Sequence, residues 1–356
     1  MNVDCLKLTT YTSERRRIDG EFLADALIDL YARHRFQTSI MLRGTEGFGL
    51  RHHLRTQRLL TLSEDLPIVT IAVDTRPRIE AAVPELASMT EHGLVTLERA
   101  RLLTGAIEPI RLPERLHDET KLTIWIGRRE RAAGRPAFVT IVDLLRRHGV
   151  AGATVLLGVD GTTHGLRRRA AFFARNAEVP LMVVAIGSGT TIAAALPELA
   201  ATLDRPLFAI ERVRVCKRDG RRLAGLPEVA GRDAGGLNVW QKLTVYAGEQ
   251  SRHDDGPLHV QLVRRLREAG LTGATAARGI WGYHGDHAPH GDTVLSIRRR
   301  VPIVTIVVDR PARIRRAFEL VDELTDQTGL VTSELVPALR TGDGDRSLGG
   351  LGLAEP

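Results

Sequence analysis

An arginine followed by spaced glycines, Arg43, Gly44, Gly47 and Gly49 in the run LRGTEGFG, has the composition of an anion cradle. Glycines let backbone N–H groups converge on a negative charge, and the guanidinium adds a planar pair of donors. The run lacks the Gly-Lys-Ser/Thr ending of a P-loop, which argues against a Walker-type triphosphate site. A second reading is plainer: the glycines supply positive φ where a strand turns into a loop. The lysines are the other anion candidates. The chain has only four against 46 arginines, and Lys7, Lys121 and Lys242 all stand in Lys-Leu-Thr. In so arginine-rich a chain, that position prefers a compact ammonium. The ammonium would meet a phosphate or carboxylate ligand at a domain boundary, or else form an inter-domain ion pair or snorkel at a sheet rim.

Other groups invite weaker chemistry. His284, His287 and His290, in HGDHAPHGD, are ligand types for a divalent metal at a spacing that matches no recognised zinc site. The bland alternative is a solvated loop, as for His52, His53 and His164. Arg51, Arg55 and Arg58, and Arg167, Arg168 and Arg169, make two basic loops suited to an acidic partner, a nucleotide or nucleic acid. No nucleic-acid motif or interleaved stacking aromatics accompany them, so protein or nucleotide contact is preferred over DNA or RNA. Glu14 and Glu249, and Asp74 and Asp309, recur at matched positions without a nucleophile–base pairing around them. The chain is therefore read as non-enzymatic. Glu14 is expected to pair with an arginine and Asp74 to cap the following helix.

These residues are positioned by a repeat. CLKLTTYTSE, TKLTIWIGRR and QKLTVYAGEQ are one segment in three copies, and LRGTEG, LLGVDG and ARGIWG are another. The lysine precedes the first glycine of the motif by 37 residues each time: Lys7 to Gly44, Lys121 to Gly158, Lys242 to Gly279. Gly161 and Gly282 repeat Gly47, and Arg278 repeats Arg43, whereas the second copy has Leu157 there. The chain is a tandem triplication, with units at 1–105, 119–217 and 239–340, linkers at 106–118 and 218–238, and a tail, 341–356, expected to be disordered.

Each unit reads as strand, helix, strand, long loop, strand, helix, strand. That βαββαβ order predicts an α+β, ferredoxin-like fold with two helices on one sheet face. Strands such as VPIVTIVVD are apolar on both alternating sets, so the other face needs cover too. The stripes Lys7-Thr9-Tyr11, Lys121-Thr123-Trp125 and Lys242-Thr244-Tyr246 lie on that open face. The expectation is three open faces packed around a pseudo-threefold axis, a trimer written into one chain. The apolar runs are too short for a bilayer span, no secretory signal is visible, and two distant cysteines suit a reduced, cytoplasmic setting.

Lys-Leu-Thr opening a strand, RGxxGFG after the second strand and DLPIV leading into the third resemble the bacterial PII-like family called domain of unknown function 190. The resemblance implies a PII-like pseudo-trimer that binds small effectors, commonly adenine nucleotides, in clefts between units. It also implies long loops that contact a target such as a membrane transporter, and the family is linked by gene neighbourhood to fluoride exporters. On this reading the ligand contacts are Lys7, Arg43, Gly44, Gly47 and Gly49 in unit 1, Lys121, Gly158 and Gly161 in unit 2, and Lys242, Arg278, Gly279 and Gly282 in unit 3. The divergence of unit 2 predicts fewer than three occupied sites. A metal-binding protein using the unit 3 histidine loop, or less favourably a nucleic-acid binder, is the alternative.

Overall fold

The computed structural model describes residues 2–49, 52–56, 65–91, 93–105, 107, 119–167, 179–254, 256–284, 290–291, 301–325, 328–343 and 346–353. Arg51, Arg58, Arg168, Arg169 and His287, with most of the first linker, lie outside the described residues. Unit 1 comprises β1 (Asn2–Ser13), α1 (Leu23–Arg33), β2 (Thr38–Phe48), β3 (Pro67–Thr75), α2 (Arg76–Met89) and β4 (Gly93–Thr104). Unit 2 comprises β5 (Thr120–Gly127), α3 (Ala137–Arg147), β6 (Gly152–Leu157), β7 (Asp160–Thr163), β8 (Pro180–Gly187), α4 (Gly189–Thr202), β9 (Leu207–Arg212) and β10 (Arg214–Arg218). Unit 3 comprises β11 (Trp240–Gly248), α5 (Leu258–Glu268), β12 (Ala274–His284), β13 (Pro302–Asp309), α6 (Pro311–Leu324), β14 (Leu330–Val336) and a closing hairpin, β15 (Ala338–Asp343) with β16 (Arg346–Gly350). The described residues are mixed α/β, with six helices on a large, continuous, mostly antiparallel sheet.

Within unit 1 the strand order is β2–β3–β1–β4, every neighbour antiparallel. Units 2 and 3 repeat that order. Apolar residues at helical spacing, such as Leu23, Leu27, Ile28 and Tyr31, turn one face of α1 onto Leu6 and Leu8 of β1. Equivalent helix-backed cores form around Leu122 and Ile124 in unit 2 and around Leu243 and Val245 in unit 3. The opposite sheet faces meet one another. Ile71 and Val73, Met182 and Val184, and Val304 and Tyr246 share a single central core contributed by all three units. Burying one such large side chain contributes about 1.5–3 kcal/mol, so this shared core and not the linkers holds the units together.

Strand exchange reinforces the packing. β2 runs past its own sheet to pair with β12, β12 runs on to β6, and β7 returns to β2, closing a cycle. The last strands close a second cycle, β4 with β9, β10 with β14, and β15 with β4. No helix among the described residues is long and apolar enough to cross a membrane.

One expectation about a chain segment needs correcting. The start of the tail is not disordered: Thr341–Asp343 belong to β15, which pairs with both β4 and β16. The reason is that β4 would otherwise present an unpaired edge at Gly93–Leu97, while Leu351 and Leu353 find apolar cover on the unit 1 core. The second linker is tied to unit 3. Arg222 reaches α6, where it bonds Asp322 at 2.6 Å and Glu319 at 2.7 Å.

Candidate functional site

The three lysines of the stripe converge on three glutamates. Each lysine lies directly across an antiparallel strand pair from a glutamate: Lys7 from Glu98, Lys121 from Glu211, Lys242 from Glu334. The within-unit ion pairs measure 3.0 Å, 3.2 Å and 3.0 Å respectively. Each ammonium also contacts a carboxylate of another unit, Lys7 with Glu211, Lys121 with Glu334 and Lys242 with Glu98. Six charges therefore alternate in a closed ring, and all six side chains are at least nine-tenths buried. Burial by itself would raise the carboxyl of Glu98, but the Lys242 and Lys7 ammoniums outweigh it and hold the group well below the usual range. Glu334 is likewise pulled down to about 2, with Lys121 and Lys242 overcoming its burial. The three carboxylates lie within 4.8 Å of one another, a spacing that suits a metal ion, yet three ammoniums already balance them. The anion that each lysine meets is thus the protein's own glutamate. Sequence reasoning missed these glutamates, although a signal existed: each stands four residues after the leucine that opens a last strand, at Leu94, Leu207 and Leu330.

Most of the motif glycines are placed by packing between strands. Gly44, Gly47, Gly161, Gly279 and Gly282 lie inside strands, Gly158 sits between β6 and β7, and Gly49 just past β2. Of the seven, Gly161 and Gly282 have positive φ, at 159° and 156°. A Cβ on Gly47 would stand 2.6 Å from the Ala274 carbonyl oxygen, and one on Gly44 would stand 3.0 Å from that of Ala276. Gly161 and Gly282 would each place a Cβ 2.3 Å from a carbonyl oxygen, of Ser39 and Ala153 respectively. Gly158 would meet the Ile40 side chain at 2.7 Å and Gly279 the Val155 carbonyl oxygen at 2.9 Å. Close approach between units, not an anion nest, explains these six. Gly49 differs, with nothing within 4 Å of its Cβ position.

Arg43 bonds Glu14 at 2.9 Å and Arg278 bonds Glu249 at 2.5 Å, so each recurring arginine is paired within its own unit. Asp74 does not cap α2 through its side chain. It accepts from the Gln37 and Thr75 backbone N–H groups, tying the start of β2 to the end of β3. Asp309 repeats this with Thr272 and Arg310. Arg167 is drawn inward, to Asp160 at 2.7 Å and to Asp29 on α1. His52 stacks on Phe48 with ring centroids 5.6 Å apart, and His284 lies 3.5 Å from Asp219. The side chain of His290, like the whole of His287, falls outside the described residues.

An open cleft lies where unit 1 meets unit 3, with a volume of about 340 Å³. Tyr11, Leu94, Ile306 and Val308 give its lining an apolar part. Burial pushes the Tyr11 phenol up, so it stays protonated as a donor. Arg15, Arg16, His53 and Arg55 stand around it, against one acid, Asp65. That acid is already committed: it accepts from Arg55 Nε at 3.1 Å and from the Arg15 backbone N–H at 2.9 Å. Thr341 and Gly342 of the closing hairpin form another wall. Such a cleft can seat a small molecule with a flat or apolar part inside and an anionic part at the arginines. Of the sequence candidates only Gly49 lines it, with Arg55 from the basic loop. Arg15 and Arg16 gave no repeat signal, because unit 3 has Gln250 and Ser251 at their places.

Comparison with known proteins agrees with the repeat. A protein of Aquifex aeolicus (strain VF5), called "UPF0166 protein", is 28% identical over 97 residues, which cover 27% of this chain and 90% of that one. A solved structure titled "Crystal structure study of anthrone oxidase-like protein" aligns with 63% of this chain and 97% of its own at 12% identity, with a TM-score of 0.16, too low to inform the fold. The family model DUF190, "Uncharacterized ACR", matches three times, at residues 5–102, 119–215 and 240–338. The chain belongs to the DUF190 family, in three tandem copies.

Proposed function

We propose that this protein is a non-enzymatic, PII-like regulator, an intramolecular pseudo-trimer of ferredoxin-like units working in the cytoplasm. It binds a small anionic effector, an adenine nucleotide in the first instance, in a cleft between units. The bound state is passed to a partner protein, such as a membrane transporter, through the segment that follows β2. The observation that carries this reading is the unit 1–unit 3 cleft, whose lining combines three arginines and a histidine with Tyr11, Leu94, Ile306 and Val308. The segment bearing His53 and Arg55 is continuous with β2, so an effector drawn to Arg55 would act directly on it.

The test is a thermal-shift and calorimetry series with ATP, ADP, AMP and pyrophosphate. A ligand at a hundred times its dissociation constant should stabilise the protein by about 2.7 kcal/mol. Arg16→Ala and Arg55→Ala should weaken binding at least about tenfold, since each removes a charge-assisted contact. Arg43→Ala should leave binding intact, because Arg43 is held by Glu14 and does not line the cleft. Failure of every anion to bind would refute the reading.

A further inference from the structure

The three inter-unit boundaries are built from equivalent residues, yet they are not equally open. The unit 1–unit 3 cleft holds about 340 Å³, whereas its counterpart between units 3 and 2 holds about 10 Å³. The counterpart's lining is the same set shifted along the repeat: Tyr246 for Tyr11, Leu330 for Leu94, Val184 for Ile306. Two substitutions distinguish them. Tyr283 stands for Phe48, and its hydroxyl donates to the Val150 carbonyl at 2.8 Å, a bond phenylalanine cannot make. His284 stands for Gly49, the one motif glycine with empty space at its Cβ position. At the boundary of units 2 and 1 the equivalents of Tyr11 and Leu94, Trp125 and Leu207, are 2% and 0% exposed, and a hydrogen-bonded zipper crosses the seam. Thr38 Oγ1 donates to the Thr162 carbonyl at 3.1 Å, Thr162 N–H donates to Ser39 Oγ at 3.0 Å, and the two hydroxyls of Ser39 and Thr162 lie 2.9 Å apart. The open cleft has Gly273, Ala274 and Phe48 at those three places, and none of these side chains can hydrogen-bond.

We infer that the triplicated chain keeps one ligand site, between units 1 and 3, and that the other two clefts have become structural locks. For the ligand itself this rests on the effector reading above; the inequality of the clefts does not. Phe48 and Gly49 keep the site open, and Tyr283 with His284, and Thr38 and Ser39 with Thr162, shut the others.

Two measurements on the full chain separate the two ideas. Leu94, Leu330 and Leu207 are equivalent, but Leu94 is half-buried while the others are 3% and 0% exposed. Cysteine placed singly at each should react with iodoacetamide at least tenfold faster at 94, over a low background from the buried Cys5 and Cys216. Equal rates at all three would overturn the inference, whatever the ligand. Calorimetry with ATP should give one site per chain, and two or three would also overturn it. Gly49→His should abolish that binding with the circular dichroism spectrum unchanged, while Tyr283→Phe with His284→Gly should restore a second site or speed labelling at position 330. Unchanged ATP binding by Gly49→His would show that the cleft is not the site. Selective labelling at 94 without binding of any anion would refute the effector reading and leave the single open cleft standing.

Discussion

Replacing Lys7 with methionine keeps the apolar stem of the side chain and removes one of six charges from the buried ring. Glu98 and Glu211 then share a buried site with one cation fewer between them, their carboxylates within 4.8 Å of each other. Two like charges at that distance repel by about 3.5 kcal/mol at an effective dielectric constant of 20. Independent experience with one partner removed from a buried pair puts the cost at about 3–5 kcal/mol. The double variant Lys7→Met with Glu211→Leu leaves four charges in alternation and no net charge, so it should cost less than Lys7→Met alone. Urea unfolding at pH 7, followed by far-UV circular dichroism and by tryptophan fluorescence, measures both. A Lys7→Met cost below about 1 kcal/mol would mean that the ring is not a buried, charge-balanced unit. A double variant as costly as the sum of its parts would refute the coupling. The pH dependence has a definite sign. Glu334 titrates at about 2 in the fold against 4.5 unfolded, so its contribution is complete above pH 4.5 and fades as pH falls from there toward 2.

Other outcomes follow from the same packing. Glu46 is 3% exposed, neither of its oxygens has a hydrogen-bond partner among the described residues, and burial, only partly offset by Arg264, raises it to about 7. Its folded value lies above the unfolded one, so stability should decline as pH rises from 4.5 through 7. Glu46→Gln should then match the parent below pH 4.5 and exceed it by about 3 kcal/mol at pH 8, and an advantage that is independent of pH would contradict this. Gly47→Ala should cost about 1–3 kcal/mol by forcing the Ala274 backbone away, whereas Gly49→Ala, with open space around its Cβ position, should be nearly neutral. Equal effects in thermal unfolding would show that close approach is not what selects the motif glycines.

The triplication, the element order and the two-faced burial of the strands were legible in the residues alone. Repeats and alternation are local patterns, and a strand that is apolar on both faces must be covered on both. The recurrence of Lys7, Lys121 and Lys242 marked a special place in the fold for the same reason. What the lysines do there was not legible, because their partners lie about ninety residues away and become adjacent only when first and last strands pair. The glycine motif misled because a sequence shows which residues lack a Cβ, not what crosses that space; here it is another unit's backbone. The inequality of the clefts is likewise tertiary. Phe48 and Gly49 look like minor variants of Tyr283 and His284 in a list of residues, yet a hydroxyl within reach of the Val150 carbonyl separates a closed seam from an open cavity. Local pattern determined the units, and contacts between distant segments decided which boundary between them stayed empty.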